Sequence, residues 1–246
     1  MLKKSVIVLL NIAIAAYLVL AIIAFNQPAE TATVCTAVDI DFTAGTADGF
    51  LNKQEVVRIL QKSGIYPKAR YMSEVSPRLI EETLQKNPFV EKAQCYKTQN
   101  GHIVVRLAQR MPVMRVKASL QADYYIDSEG NILPQSPYTC DMIVATGSIS
   151  RDYARKELAP LAAIINGDDF WRDQVVQVNV LGDGSLELVP RVGSHIIRLG
   201  APVAIEEKLQ RVRLFYEYGL SSIGWNKYSC INVEFQNQIV CKKNSK

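Results

Sequence analysis

Hydrophobic positions follow three different rhythms along this chain. The first is continuous: Ser5 to Phe25 reads SVIVLLNIAIAAYLVLAIIAF, 21 residues without a charge and with Ser5 and Asn11 as its clearly polar members. At about 1.5 Å per residue such a helix spans roughly 32 Å, enough to cross a bilayer core. The second is alternation. Val34, Val38, Ile40 and Phe42 are interleaved with Cys35, Ala37, Asp39 and Asp41, the period of a half-buried strand. The third is helical spacing. Asn52 is placed to cap a helix with Glu55 three residues on, Val56, Ile59 and Leu60 form its apolar face, and Gly64 stops it. A second helix starts at Ser76 and Pro77, turns Leu79, Ile80, Thr83 and Leu84 inward, and ends at Asn87-Pro88.

Two strands complete this unit, Phe89 to Lys97 and His102 to Ala108, around Thr98-Gln99-Asn100-Gly101, where Asn-Gly is a strong hairpin signal because both residues tolerate positive φ. The predicted order is strand, helix, helix, strand, strand, over residues 34–116. Residues 117–246 then read as a sheet with helical insertions. Val175 to Val180 and Ser185 to Pro190 flank the turn Leu181-Gly182-Asp183-Gly184, and His195 to Leu199 adds a third strand. A helix is expected from about Ala204 to Tyr218, with Ile205, Leu209, Val212 and Phe215 inward and Gly219 as its stop. Ile231 to Phe235 and Gln238 to Lys242 close the chain as a hairpin around Gln236-Asn237. Its terminal strand is a natural sheet edge, and an edge offers unpaired N–H and C=O groups to a partner strand. The fold class is therefore α+β.

Charge orients the first segment. Lys3 and Lys4 precede it while Asn26 to Asp41 contain no Lys or Arg, so the positive-inside rule keeps a tail of residues 1–4 in the cytoplasm and exports everything from Asn26 onward. A cleaved signal peptide has a shorter apolar core, and Val34 is a poor neighbour for a lipid-bearing Cys35. Setting the anchor aside, about 220 of the 246 residues remain, a length suited to one or two domains. A hydrophobic fraction of 48% and a charged fraction of 21% are those of an ordinary folded protein. The net charge of +4 owes much to a basic end, Lys242, Lys243 and Lys246, and no basic stripe or aromatic platform suggests nucleic acid. Five cysteines, Cys35, Cys95, Cys140, Cys230 and Cys241, leave at least one unpaired within the chain. They read equally as disulfide partners or as buried free thiols.

Candidate chemistry is sparse. His102 and His195 both fall at strand beginnings and read as structural surface residues; there is no HExxH or CxxC, and the Cys230–Cys241 spacing matches no common zinc motif. Gly219 and Gly224 have phosphate-loop separation, but Trp225-Asn226 stand where Lys and Ser/Thr are needed. Asp39 and Asp41 share the polar face of one strand, and Gly147-Ser148-Ile149-Ser150-Arg151 lacks the second glycine of a nucleophile elbow. No catalytic residue, cofactor, metal site or small-molecule substrate is expected. Trp171, Trp225 and Tyr218 are read as core or inter-domain packing.

The unit that follows the anchor, with Asn87-Pro88-Phe89-Val90-Glu91-Lys92-Ala93 entering its hairpin and Gln109-Arg110-Met111-Pro112-Val113 leaving it, resembles the POTRA domain of FtsQ/DivIB. Tyr124-Tyr125-Ile126-Asp127-Ser128-Glu129-Gly130 is similar to the segment opening that family's second domain. Ile164-Ile165-Asn166, Phe170-Trp171 and Leu188-Val189-Pro190-Arg191-Val192-Gly193 resemble its Bacteroidetes-type members. The resemblance implies a single-pass inner-membrane protein with periplasmic domains. It implies a non-catalytic divisome scaffold that binds FtsB/DivIC, FtsL and other divisome proteins and helps regulate septal peptidoglycan synthesis. It also implies that a partner strand adds to the final hairpin: Asn232, Val233, Glu234 and Phe235 in one strand, and Gln238, Ile239, Val240, Cys241 and Lys242 in the other. Where many members carry Asp-Leu-Arg and an aromatic, this chain has Asn232-Val233-Glu234-Phe235, reversing one charge. The rival readings are an anchored periplasmic cell-wall enzyme and another POTRA-type assembly protein.

Overall fold

The computed structural model describes residues 2–25, 33–43, 50–119, 123–136, 138 and 141–244. Cys140 lies outside them. Helix α1, Leu2–Phe25, is continuous over 24 residues, with side chains described from Leu10 to Ile22. Among the described residues no helix is long and apolar enough to cross a membrane. The chain divides into two compact units, one of residues 1–42, 53–84 and 93–107, the other of residues 43–52, 85–92 and 108–246.

Most of a three-stranded sheet of β1 (Ala37–Phe42), β2 (Val90–Lys97) and β3 (His102–Gln109), in the order β1-β3-β2, lies in the first unit. β1 runs parallel to β3, Ala37 opposite His102 and Phe42 opposite Leu107, while β2 and β3 form the expected hairpin, with Gly101 at φ +75°. Helices α2 (Lys53–Lys62) and α3 (Pro77–Gln85) bury Val56, Leu60, Ile80 and Leu84. Ser76 caps α3 through its Oγ, which accepts the Leu79 N–H at 3.3 Å.

Two expectations shift here. Leu79 is exposed rather than inward, because Ile80 and Leu84, four residues apart, already fill the buried stripe. The first strand starts at Ala37, and Val34 and Cys35 break its alternation: Val34 is exposed while Cys35 is buried. They do so because this stretch pairs on its other side with a loop. Cys35 donates its N–H to the Arg70 carbonyl and Met72 donates to Thr33.

The second unit is built on a nine-stranded mixed sheet. Its strands are β4 (Pro112–Ala118), β5 (Tyr124–Asp127), β6 (Ile132–Leu133), β7 (Ile143–Gly147), β8 (Val175–Val180), β9 (Leu186–Pro190), β10 (Ile196–Gly200), β11 (Tyr228–Asn232) and β12 (Val240–Lys243). Their spatial order is β12-β11-β10-β9-β8-β7-β4-β5-β6. The pairs β4–β7, β7–β8 and β10–β11 are parallel. A domain boundary after Val116 would cut β4, whose Met114, Arg115 and Val116 pair with both β5 and β7; the second sheet begins at Pro112.

One face of this sheet is covered by helices α4 (Arg151–Tyr153), α5 (Ala159–Gly167), α6 (Asp169–Gln174), α7 (Ile205–Leu214) and α8 (Ser221–Ile223), with π-helical turns at Ala154–Leu158 and Phe215–Leu220. Met114, Val178, Leu188, Ile197 and Ile231 from the strands meet Leu158, Ile165, Trp171, Leu209, Val212 and Tyr216 from the helices in one core. The expected face and stop both shift: Tyr216 and Leu220 continue the stripe of Leu209 and Val212 at ordinary helical spacing and are buried, while Phe215 stands to one side of it and is only partly so. The helix runs through Gly219 and ends at Gly224, which has φ +93°.

Two polar residues are locked into this unit. His195 is buried, not on the surface: its Nε2 lies 2.6 Å from the Tyr216 hydroxyl. Any Cβ on Gly193 would come within 2.7 Å of the imidazole, which is why a glycine at φ +93° stands there. Burial holds the His195 pKa below its ordinary value, with the Trp225 backbone working in the opposite direction. Asp127 is also buried. Its Oδ1 accepts the N–H groups of Glu129 and Asn131, and its Oδ2 accepts from Arg110 Nη1 at 2.8 Å and Asn131 Nδ2 at 2.9 Å. Burial alone raises its pKa, but the Arg110 and Asn131 hydrogen bonds outweigh that and leave it below the usual carboxylate range.

Candidate partner-binding edge

β12 is a terminal strand of the nine-stranded sheet, so among the described residues no strand pairs with one side of its backbone. On the other side it runs antiparallel to β11, with Asn232 opposite Val240, Ile231 opposite Cys241 and Cys230 opposite Lys242, and a bulge before Cys230. β11 is held in turn by a parallel pairing with β10. Successive residues of a strand turn their N–H and C=O groups to opposite sides. Asn244 donates its N–H to the Lys227 carbonyl at 3.1 Å. Lys242 and Val240 therefore face β11 as well, and Cys241 and Lys243 direct their amides outward.

The residues expected at this edge are brought together, although not all in strands. Asn232 belongs to β11, while Val240, Cys241 and Lys242 belong to β12. Val233, Glu234, Phe235, Gln238 and Ile239 form the connection between the two strands, with Asn237 at φ +56°. Val233 still continues the pairing with β10, and the connection leaves the ladder at Glu234. Val233 is fully buried, donates its N–H to Arg198 and accepts from Arg211 Nη2 at 2.8 Å. Glu234 donates its N–H to Asn232 Oδ1 at 2.8 Å, and its side chain packs over Gly200, where a Cβ would meet it at 2.5 Å. The acidic departure at Glu234 thus lies off the strand, and the charges along β12 are Lys242 and Lys243.

A groove of about 590 Å³ adjoins the start of β12, lined by Arg211, Leu214, Phe215, Tyr218, Gln238 and Ile239 among others. Tyr218 is 75% exposed, which removes it from the packing role expected of it, whereas Trp171 is buried and Trp225 packs edge-on against Tyr216. The π-helical turn Phe215–Leu220 contributes Phe215, Tyr218 and Gly219 to the groove wall.

No comparable constellation for catalysis appears among the described residues. His102 pairs with Asp39 at 3.2 Å on an exposed face, and Asp39 and Asp41 are exposed as expected. Among the described residues no group of three or more His, Cys, Asp and Glu residues could hold a metal. A concavity of about 750 Å³ near Val113, Val144, Arg172 and Arg191 has neither histidine nor cysteine among its described lining residues. Cys35, Cys95, Cys230 and Cys241 are free thiols. Burial pushes Cys95 up to about 12 and raises the other three.

Comparison with known proteins agrees with this division of the chain. Residues 33–108 match a POTRA-like domain, and residues 111–242 match the family described as FtsQ/DivIB, C-terminal related. A POTRA-like unit followed by this β-rich unit defines a class of cell-division proteins. The chain belongs to the FtsQ/DivIB family. A relative named cell division protein FtsQ, from Geotalea daltonii (strain DSM 22248 / JCM 15807 / FRC-32), is 25% identical over 180 residues, which cover 68% of this chain and 63% of that protein. The chain thus spans less than two thirds of that relative's length.

Proposed function

We propose that this protein is a membrane-anchored, non-catalytic scaffold of the division machinery that receives a strand from FtsB/DivIC, and with it FtsL, at the outer edge of β12. The observation that carries the reading is the free side of β12, with the Cys241 and Lys243 amides directed outward beside a largely apolar groove. Backbone hydrogen bonds supply affinity in this mode and side-chain pockets supply selectivity. Lys242 and Lys243, with Arg211 at the groove rim, favour an acidic strand. Holding these partners outside the cytoplasm is how the protein helps regulate septal peptidoglycan synthesis.

Helix α1 serves as the anchor, with residues 1–4 cytoplasmic. Its 24 residues correspond to about 36 Å, the run from Ser5 to Phe25 is uncharged, and Leu10, Ile12, Tyr17 and Leu20 expose more than half of their surface.

A photo-crosslinking residue at Lys243 of the full chain, expressed in cells, should yield an adduct of the mass expected for FtsB/DivIC. The same residue at Asp39 should not. Absence of the adduct at Lys243, with the protein present and folded, defeats the edge assignment. Protease added to spheroplasts should remove both units; full protection overturns the topology. Turnover of peptidoglycan by the purified chain would favour an enzyme instead.

A further inference from the structure

The three-stranded sheet has a long edge of its own, and a side chain closes it. Strand β2 lies at one side of the order β1-β3-β2. Thr98 donates its N–H to His102 across the hairpin at 2.9 Å, so Tyr96 and Gln94 face β3 and the Cys95 amide faces away. That outward N–H does not stand free. It donates to Glu81 Oε1 at 2.7 Å, the carboxylate reaching over the edge from α3. A carboxylate on a backbone N–H makes a charge-assisted bond, stronger than the amide–carbonyl bond an incoming strand would put in its place. The same sheet protects the stretch leading into β1 differently, with a loop: Cys35 donates to Arg70, Ala69 to Cys35 and Met72 to Thr33.

What the closed edge would otherwise take follows from its own sequence. Val90 to Lys97 reads VEKAQCYK. A second copy laid antiparallel about Gln94 sets Ala93 opposite Cys95, both with outward amides. Lys92 then meets the ring of Tyr96, and Glu91 meets Lys97. Such a pairing is self-complementary, as a two-fold interface requires, and it joins two three-stranded sheets into one. We propose that Glu81 is an edge guard: its carboxylate keeps β2 from accepting the β2 strand of a second copy of this chain. The device acts within the first unit and does not depend on what β12 binds.

The test uses the full chain in detergent micelles, with mass measured by sedimentation. The wild type is expected to be monomeric. Glu81→Ala should dimerise at a concentration at least about tenfold lower than any self-association of the wild type, since one charged hydrogen bond no longer competes. Glu81→Gln keeps an oxygen acceptor and should stay monomeric. Adding Gln94→Lys to Glu81→Ala sets two cations opposite each other at the two-fold centre and should restore the monomer. Hydrogen exchange on the wild type needs no variant, and the Cys95 amide should be protected at least tenfold relative to the exposed Asn100 amide. A folded Glu81→Ala that stays monomeric, a dimer indifferent to Gln94→Lys, a wild type already paired through β2, or an unprotected Cys95 amide each overturns the guard.

Discussion

Proline placed along β12 should give a pattern that alternates with sequence number. Proline removes the backbone N–H and fixes φ near −65°, so its effect depends on which way the lost donor pointed. The Val240 and Lys242 amides face β11, and those of Cys241 and Lys243 face outward. Val240→Pro and Lys242→Pro should therefore weaken the hairpin itself, by at least one net ladder bond of about 1 kcal/mol, and lower the melting temperature. Lys243→Pro should leave the melt near wild type while reducing affinity for an added strand. One lost hydrogen bond of about 1 kcal/mol corresponds to roughly fivefold, and the ring's bulk against the incoming backbone adds to it. Lys243 is the cleaner outward site because its side chain is exposed, whereas Cys241 packs partly against the core. Co-purification with FtsB/DivIC and FtsL, measured beside thermal melts of the same variants, separates the two effects. Equal loss of binding in all three variants, or none at Lys243→Pro, would refute strand addition in this register.

Three further outcomes follow from buried groups. His195 has a folded pKa below its ordinary value, so it stays neutral in the fold and its stabilising contribution is full above pH about 6.5 and lost as pH falls below that; melts of His195→Gln between pH 5 and 8 should show a smaller acid slope than wild type. Asp127 is held below the usual carboxylate range, so its contribution persists above pH about 4 and disappears below; Asp127→Ala should cost on the order of 3 kcal/mol by leaving Arg110 without its main partner, read by denaturant titration. Cys35 and Cys95, both buried, should resist alkylation in the native chain and react on denaturation, as peptide mapping by mass would show. Rapid native labelling of Cys95 would contradict its packing.

Much of the first unit was legible because each of its elements carries its own local signal. Asn100-Gly101 marks the hairpin, Ser76-Pro77 the helix start, and Ile40, Val56, Leu60 and Ile80 the core. The second unit gave up its strands at Val175 and Leu186 for the same reason. What stayed hidden depends on partners distant in sequence. Val233 to Phe235 have strand-like composition, yet only Val233 keeps a ladder bond, to Arg198, and Glu234 turns off onto the Asn232 side chain and Gly200. His195 sits beside turn residues and is nevertheless buried, because Gly193 leaves room for its ring and Tyr216 completes its hydrogen bonding. The assignment of β4 to the second sheet follows from pairing with β5 and β7, which no local pattern announces. Arg110 and Asp127 lay within segments recognised by resemblance, but their contact needed the fold.

The parallel pairings of the second sheet bear on how the molecule reaches its native state. β4 must find β7, and β10 must find β11, across connections that include other strands or helices. Each closes a long loop before its hydrogen bonds form, which makes assembly slow. While the loop Ala201 to Lys227 is still open, neither β11 nor β12 has a sheet to join, and the outer amides of β10 are exposed in their place. Refolding of this unit should therefore show a late phase in which β10, β11 and β12 become protected from hydrogen exchange together. A chain caught before that phase presents the wrong edge to its surroundings.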